Sequence, residues 1–163
     1  MGIAQNIERI ESELGEKVTL IAVSKYSPDE AVQEAYSAGH RDFGENKAQD
    51  LQARKDRFPE DVRWHFIGHL QRNKVKYIAP FIHLIHAVDS LRLLQEIDKQ
   101  AKRFNRTIPV LLQMHVAQEE SKFGMSRSEL MELLISEELG QLENIRVEGL
   151  MGMATNTSNS LLI

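Results

Sequence analysis

WHFIGHLQRNK, Trp64 to Lys74, is an apolar run that breaks at Gly68 and passes into a polar, basic segment. Two earlier stretches share its layout. LIAVSK (Leu20–Lys25) is apolar until it ends in a lysine, and DFGEN (Asp42–Asn46) ends in an acid and an amide. Short apolar runs that each stop at a polar residue, at roughly regular intervals, are the pattern of parallel strands whose functional groups gather at the strand C-termini. A lysine at such an end can form a Schiff base with an aldehyde, so the pattern points to a cofactor site.

Outward from these segments the same alternation continues. Ile3, Ile7, Ile10 and Leu14 form one helical stripe, with Gly15 as its C-terminal cap. Val18–Val23 reads as a strand buried on both faces. Ser27-Pro28-Asp29-Glu30 then predicts a capped helix start, with Ser27 as the cap, Pro28 in the first turn and Glu30 completing a capping box. That helix runs to about Gly39. Further strands are predicted near Asp42–Gly44, Trp64–Gly68, Leu84–Val88, Pro109–Val116 and Val147–Met153. Helices are predicted over Asn46–Asp56, Arg72–Ile78, Leu91–Phe104 and Arg127–Glu138, the last with a capping box on Ser126 and Glu129. Strict β/α alternation implies a parallel sheet, either a (β/α) barrel or a doubly wound sheet.

The bulk properties narrow the class. A chain of 163 residues suits one domain with a real core. Its 42% apolar and 27% charged residues are ordinary globular usage. A net charge of -4 without a basic run argues against a nucleic-acid partner, and the lysines and arginines, interleaved with acids, read as a solvated surface. With no cysteine, thiolate catalysis, disulfides and cysteine-ligated zinc are excluded. The charged start (Glu8, Arg9, Glu11, Glu13) holds no signal-peptide core, and no apolar run approaches the ~20 residues of a membrane span. A soluble, cytoplasmic protein is expected.

Lys25 is the leading candidate for chemistry: a partly desolvated lysine at a strand end is an amine nucleophile, and the plain alternative is a lysine that snorkels to water. Asn46 can hydrogen-bond a ring substituent or simply cap the next helix. His65 and His69 have the spacing of a helical zinc pair. On a strand, four residues span about 13 Å, so no metal is expected. His83, His86 and His115 read as satisfied core histidines. The Ser121–Ser126 segment, with Gly124, reads either as an anion site at a helix N-terminus or as a turn and cap.

Taken together, Ala22-Val23-Ser24-Lys25, Phe43-Gly44-Glu45-Asn46, Trp64–Gly68 with Leu70-Gln71 and Asn73-Lys74, Ser121–Gly124 and Gly149–Met153 resemble the pyridoxal phosphate homeostasis proteins, whose fold is like the N-terminal barrel of alanine racemase. The resemblance covers Ile3 to Ala154. It implies a (β/α)8 TIM-barrel type with about six of the eight units in this chain. It also implies pyridoxal 5'-phosphate (PLP) held as a Schiff base on Lys25, with Asn46 near the cofactor and Ile67 and Gly68 along the same mouth. The family implies a carrier or regulator of PLP supply without an established reaction, with PLP-requiring apo-enzymes as recipients. Family members continue for roughly two more β/α units, with Met-Ser-x-Asp and Gly-Ser-Thr…Arg segments that this chain lacks. A single, C-terminally incomplete domain over 1–163 is therefore expected, with a weakened phosphate site and association through exposed barrel edges. The alternative within the same fold type is a PLP-dependent racemase or decarboxylase. A lysine aldolase without PLP agrees less well with the Trp64–Gln71 match.

Overall fold

The structure, a computed structural model, describes residues 2–116 and 123–154. It opens with α1 (Ile3–Leu14), whose Ile3 and Ile7 pack on the core. Gly15 ends α1 as expected, at φ 76° with its N–H on the Glu11 carbonyl. Thereafter strands and helices alternate: β1 (Ala22–Val23), α2 (Asp29–Ser37), β2 (Asp42–Glu45), α3 (Ala48–Lys55), β3 (Arg63–Phe66), a 3-10 turn (Arg72–Lys74), α4 (Val75–Ile78), β4 (Leu84–Val88), α5 (Leu91–Arg103), β5 (Ile108–Met114), α6 (Arg127–Leu134), α7 (Glu137–Gly140) and β6 (Ile145–Gly152). No helix among the described residues is long and apolar enough to cross a membrane.

All six strands are parallel, and each is hydrogen-bonded to its neighbour in sequence. That order has no reversal point, which separates it from a doubly wound sheet and makes it the winding of a barrel wall. Side-chain parity then sorts the residues. Phe43, Trp64, Phe66, Ile85, Val110 and Leu112 point outward and are buried under Leu51, Val75, Ile78, Leu94, Ile97 and Leu133 of the helices. The opposite parity, Asp42, Gly44, Arg63, His65 and His86, lines the concave inner face, as cross-strand pairs Asp42↔Arg63 and Gly44↔His65 require.

Four local expectations are corrected. The strand predicted over Val18–Val23 is regular only at Ala22–Val23, and Val18 and Val23 are about half exposed. β1 pairs only with β2, so its other edge is open, and helix packing covers too little of this segment to bury Val18 and Val23. The capping box at Ser27 does not form: Pro28 takes the N-cap position of α2 without a side-chain cap bond. Arg127–Glu138 divides after Leu134, where Ser136 caps a second short helix by accepting the Leu139 N–H. The Ser126–Glu129 box is present, with Glu129 N–H on Ser126 Oγ at 3.2 Å and Ser126 N–H on Glu129 Oε2 at 2.8 Å. Among the histidines, His83 is exposed rather than a core residue.

The layered packing gives a direct test. Ile85 is fully buried in β4 whereas Leu150, on the outer parity of β6, is 55% exposed. Ile85→Ala should lower the unfolding free energy by about 2–5 kcal/mol, and Leu150→Ala by no more than about 0.5 kcal/mol. Urea unfolding followed by circular dichroism measures both.

Candidate functional site

Because every strand runs the same way, the ends of β1, β2 and β3 lie side by side, and the residues that follow them share one rim. Lys25 follows β1, Asn46 follows β2, and Ile67-Gly68 follows β3. Ser24 N–H donates to the Gly44 carbonyl at 3.0 Å and Ile67 N–H to the Glu45 carbonyl at 2.9 Å, so the pairing extends up to the rim. A Cβ added to Gly68 would lie 2.4 Å from the Asn46 carbonyl oxygen and 2.8 Å from its Cα. Only glycine therefore lets the β3 end lie against Asn46. Below this contact Ile67 packs over Gly44, whose own Cβ would meet Ile67 Cδ1 at 3.0 Å and Ile21 Cγ2 at 3.2 Å. All the residues singled out in the sequence as cofactor contacts are thus at the same end of three adjacent strands. Asn46 does not cap α3, where Lys47 holds the N-cap position.

Lys25 occupies a tight turn. Ser27 N–H donates to the Ser24 carbonyl at 3.0 Å, which places Lys25 and Tyr26 at the two central positions. Tyr26 is left-handed at φ 65° and 88% exposed, a strain of about 1–3 kcal/mol that surrounding contacts must hold. Lys25 itself is exposed, and it makes no ion pair among the described residues. Further along the rim, His69 Nδ1 lies 3.4 Å from Asp89 Oδ2. Its ring stacks on Phe123 at a centroid distance of 3.9 Å. A cavity of about 210 Å³ lies behind the rim, lined by Asn46, Lys47, His69, Gln71 and Lys74 among others.

Gln113 stands on the inner parity of β5 and donates from Nε2 to the Phe123 carbonyl, and its buried Oε1 has no hydrogen-bond partner among the described residues. Ser121 and Lys122 lie outside the described residues. Gly124, at φ 129°, sits where a Cβ would be 2.6 Å from His115 N, so residues 123–125 run close against the end of β5. The Ser126 hydroxyl is engaged by Glu129 N–H.

Toward the strand N-termini the inner face carries a charge-balanced cluster that the sequence did not disclose. Arg63 Nε donates to Asp42 Oδ1 at 2.7 Å, and Arg63 Nη2 binds Asp42 Oδ2. His65 Nε2 lies 3.0 Å from Asp42 Oδ1, and His65 Nδ1 lies 2.9 Å from His86 Nε2. An ionised Asp42 only accepts, so His65 carries its proton on Nε2 and His86 donates to His65 Nδ1. Burial pushes the Asp42 pKa up, but the hydrogen bonds from Arg63 and His65 outweigh it and hold the carboxyl at about 2. Burial, helped by the neighbouring charges of His65 and His83, pushes His86 down to about 4. Asp42, His65 and His83 bring donor atoms within 4.8 Å of one another. Arg63 and His65 already fill the Asp42 oxygens, so we read the group as an ion-pair cluster. His65 and His69 have separate partners.

Known proteins share this sequence and fold. The family model for the alanine racemase N-terminal domain matches residues 2–160. The pyridoxal phosphate homeostasis protein of Vibrio alginolyticus is 35% identical over 96% of this chain and 73% of its own length. That of Pseudomonas aeruginosa is 36% identical over 96% of this chain and 72% of its own. PipY of Synechococcus elongatus, solved with PLP bound, superposes with a TM-score of 0.86 at 34% identity, over 98% of this chain and 74% of that one. The chain belongs to the pyridoxal phosphate homeostasis proteins, within the alanine racemase N-terminal domain family.

Two outcomes follow from the site. Gly68→Ala should cost about 1–3 kcal/mol of stability, because the obstruction is Asn46 backbone that cannot swing aside. Gly140→Ala, with nothing within 4 Å of the added Cβ, should leave the melting point unchanged or raised. The second concerns pH. The folded pKa of His86 lies below that of the free imidazole, so the unfolded chain binds the proton first. The stability involved is complete above pH 6.5 and is lost as pH falls toward about 4, and Asp42 adds a further loss between 3.8 and about 2. His86→Gln should flatten the pH dependence of unfolding between pH 6.5 and 4.

Proposed function

We propose that this chain binds pyridoxal 5'-phosphate as a Schiff base on Lys25 and takes part in intracellular PLP homeostasis as a carrier or regulator of its supply. The observation that carries the reading is the placement of Lys25 at the centre of a strand-end turn, beside the rim formed by Asn46 and Ile67-Gly68. The residues present suit the cofactor. Lys25 offers an amine for the aldehyde, Asn46 an amide for a ring substituent, and Gln113 a buried acceptor without a donor among the described residues. PLP supplies an electrophilic aldehyde, an electron-withdrawing ring and an anionic phosphate. The chain's own part is to hold the amine at the rim and to shelter one side of the ring against the inner face.

The names of the relatives and the PLP bound to PipY support the cofactor. We further propose that the chain acts as one cofactor-binding domain in the cytoplasm, with PLP-requiring apo-enzymes as recipients and self-association through the open sheet edges. Adding PLP should produce a visible absorbance band that Lys25→Ala abolishes. Borohydride reduction followed by peptide mapping should place the pyridoxyl group on Lys25. An unchanged band in Lys25→Ala would overturn the assignment.

A further inference from the structure

Behind the Lys25 turn lies a buried ion pair that the proposed binding does not use. Glu45, the last residue of β2, and Arg54, on the last turn of α3, are both largely buried, with side-chain exposures of 4% and 13%. Arg54 Nη1 donates to Glu45 Oε1 at 2.6 Å and to the Ser24 carbonyl at 2.9 Å. Arg54 Nη2 donates to the Ser27 carbonyl at 2.7 Å. Arg54 Nε lies 3.1 Å from Asp29 Oδ1, at the start of α2. The Ser24 hydroxyl donates to Glu45 Oε1 at 2.8 Å, which ties the same turn to the same carboxylate.

Ser24 and Ser27 are the first and last residues of the turn, and Lys25 and Tyr26 are its centre. The guanidinium fork therefore grips the turn at both ends through backbone carbonyls, while Glu45 fixes the fork from below. A rigid planar cation with several donors suits that task, because it satisfies two carbonyls and a carboxylate in one geometry. Such a grip also explains how a non-glycine residue, Tyr26, is kept at φ 65°. Among the described residues, the hydrogen bonds and ion pairs of Arg54 go to the turn, to Glu45 and to Asp29.

We propose that Arg54, held by Glu45, is the positioning residue for Lys25: it locks the Ser24–Ser27 turn and so sets where the amine meets an aldehyde. The inference rests on the reading of Lys25 as the cofactor lysine. In that step the Lys25 nitrogen bonds the aldehyde carbon, the carbonyl oxygen leaves as water with two hydrogens from the ammonium, the remaining proton passes to solvent, and nothing is oxidised or reduced. A fixed turn raises the rate by holding the nitrogen in a productive orientation.

Two readouts test this. The first is amide hydrogen exchange at Ser27 in the cofactor-free protein, which reports the turn whatever Lys25 binds. The second is the rate at which PLP is captured at Lys25, read by stopped-flow absorbance. Arg54→Met should speed exchange at Ser27 and slow capture by about tenfold or more. Arg54→Lys keeps the ion pair with Glu45 and should recover part of both. Arg57→Met should change neither, since Arg57 pairs with Asp29 but touches neither turn carbonyl. If Arg54→Met does not fold, Glu45→Gln combined with Arg54→Met removes both buried charges and keeps the same two readouts. Wild-type exchange at Ser27 and wild-type capture in a folded Arg54 variant would overturn the proposal. Absence of any Lys25-dependent band in the wild-type chain would instead overturn the cofactor reading, and exchange at Ser27 would still decide whether Arg54 holds the turn.

Discussion

The parallel hydrogen bonding of β2 between β1 and β3 fixes which residues can meet. Its register sets Val23 beside Gly44 and Glu45 beside Phe66, so whatever follows each strand emerges on one rim. Lys25, Asn46 and Gly68 come together because the chain crosses the sheet in the same direction each time. The same register fills the outer face with Phe43, Trp64 and Phe66 under the helices, sets Glu45 on that face against Arg54 of α3, and leaves Asp42, Arg63 and His65 to the inner face. Two glycines keep the rim tight: Gly44 leaves room for Ile67, and Gly68 leaves room for the Asn46 backbone.

Within this apolar frame the buried charges occur in closed groups. Glu45 is matched by Arg54 and the Ser24 hydroxyl, and Asp42 by Arg63 and His65. Removing a charge from water costs several kcal/mol, and partners at hydrogen-bond distance return much of it. Such pairs add little net stability over apolar residues of the same shape, but they demand one geometry. The Glu45 pair stands behind the Lys25 turn, whereas the Asp42 cluster stands toward the opposite end of the strands. Specific orientation is spent at the rim, where Lys25 lies exposed and ready for a ligand.

Much of this was legible in the sequence, because the controlling signals are local. Apolar runs ending in Lys25, Asn46 and Gly68 gave the strand ends, and Ser126 with Glu129 gave a helix start. The misreadings share a cause: each depended on what lies across space. Val18–Val23 has the composition of a buried strand, yet only Ala22–Val23 joins the sheet, at its edge, and what packs over Val18 and Val23 leaves both half exposed. Ser27 has the spacing of an N-cap, but its carbonyl is drawn to Arg54 and Pro28 takes the cap position. Arginines interleaved with acids read as a solvated surface. Arg54 and Arg63 instead reach buried carboxylates on neighbouring strands, and Arg106 donates to the Ala79 and Ile82 carbonyls. No spacing rule reports such long-range partners, and none would have joined His65 to His86 through one hydrogen bond.

The central claim is that the rim beside Lys25 is the cofactor site. A crystal structure of the chain grown with PLP tests it most directly. The account predicts continuous density from Lys25 Nζ to the cofactor aldehyde carbon, with the ring beside Asn46 and the Ile67-Gly68 turn. Cofactor attached to another lysine, or seated away from the ends of β1, β2 and β3, would contradict it.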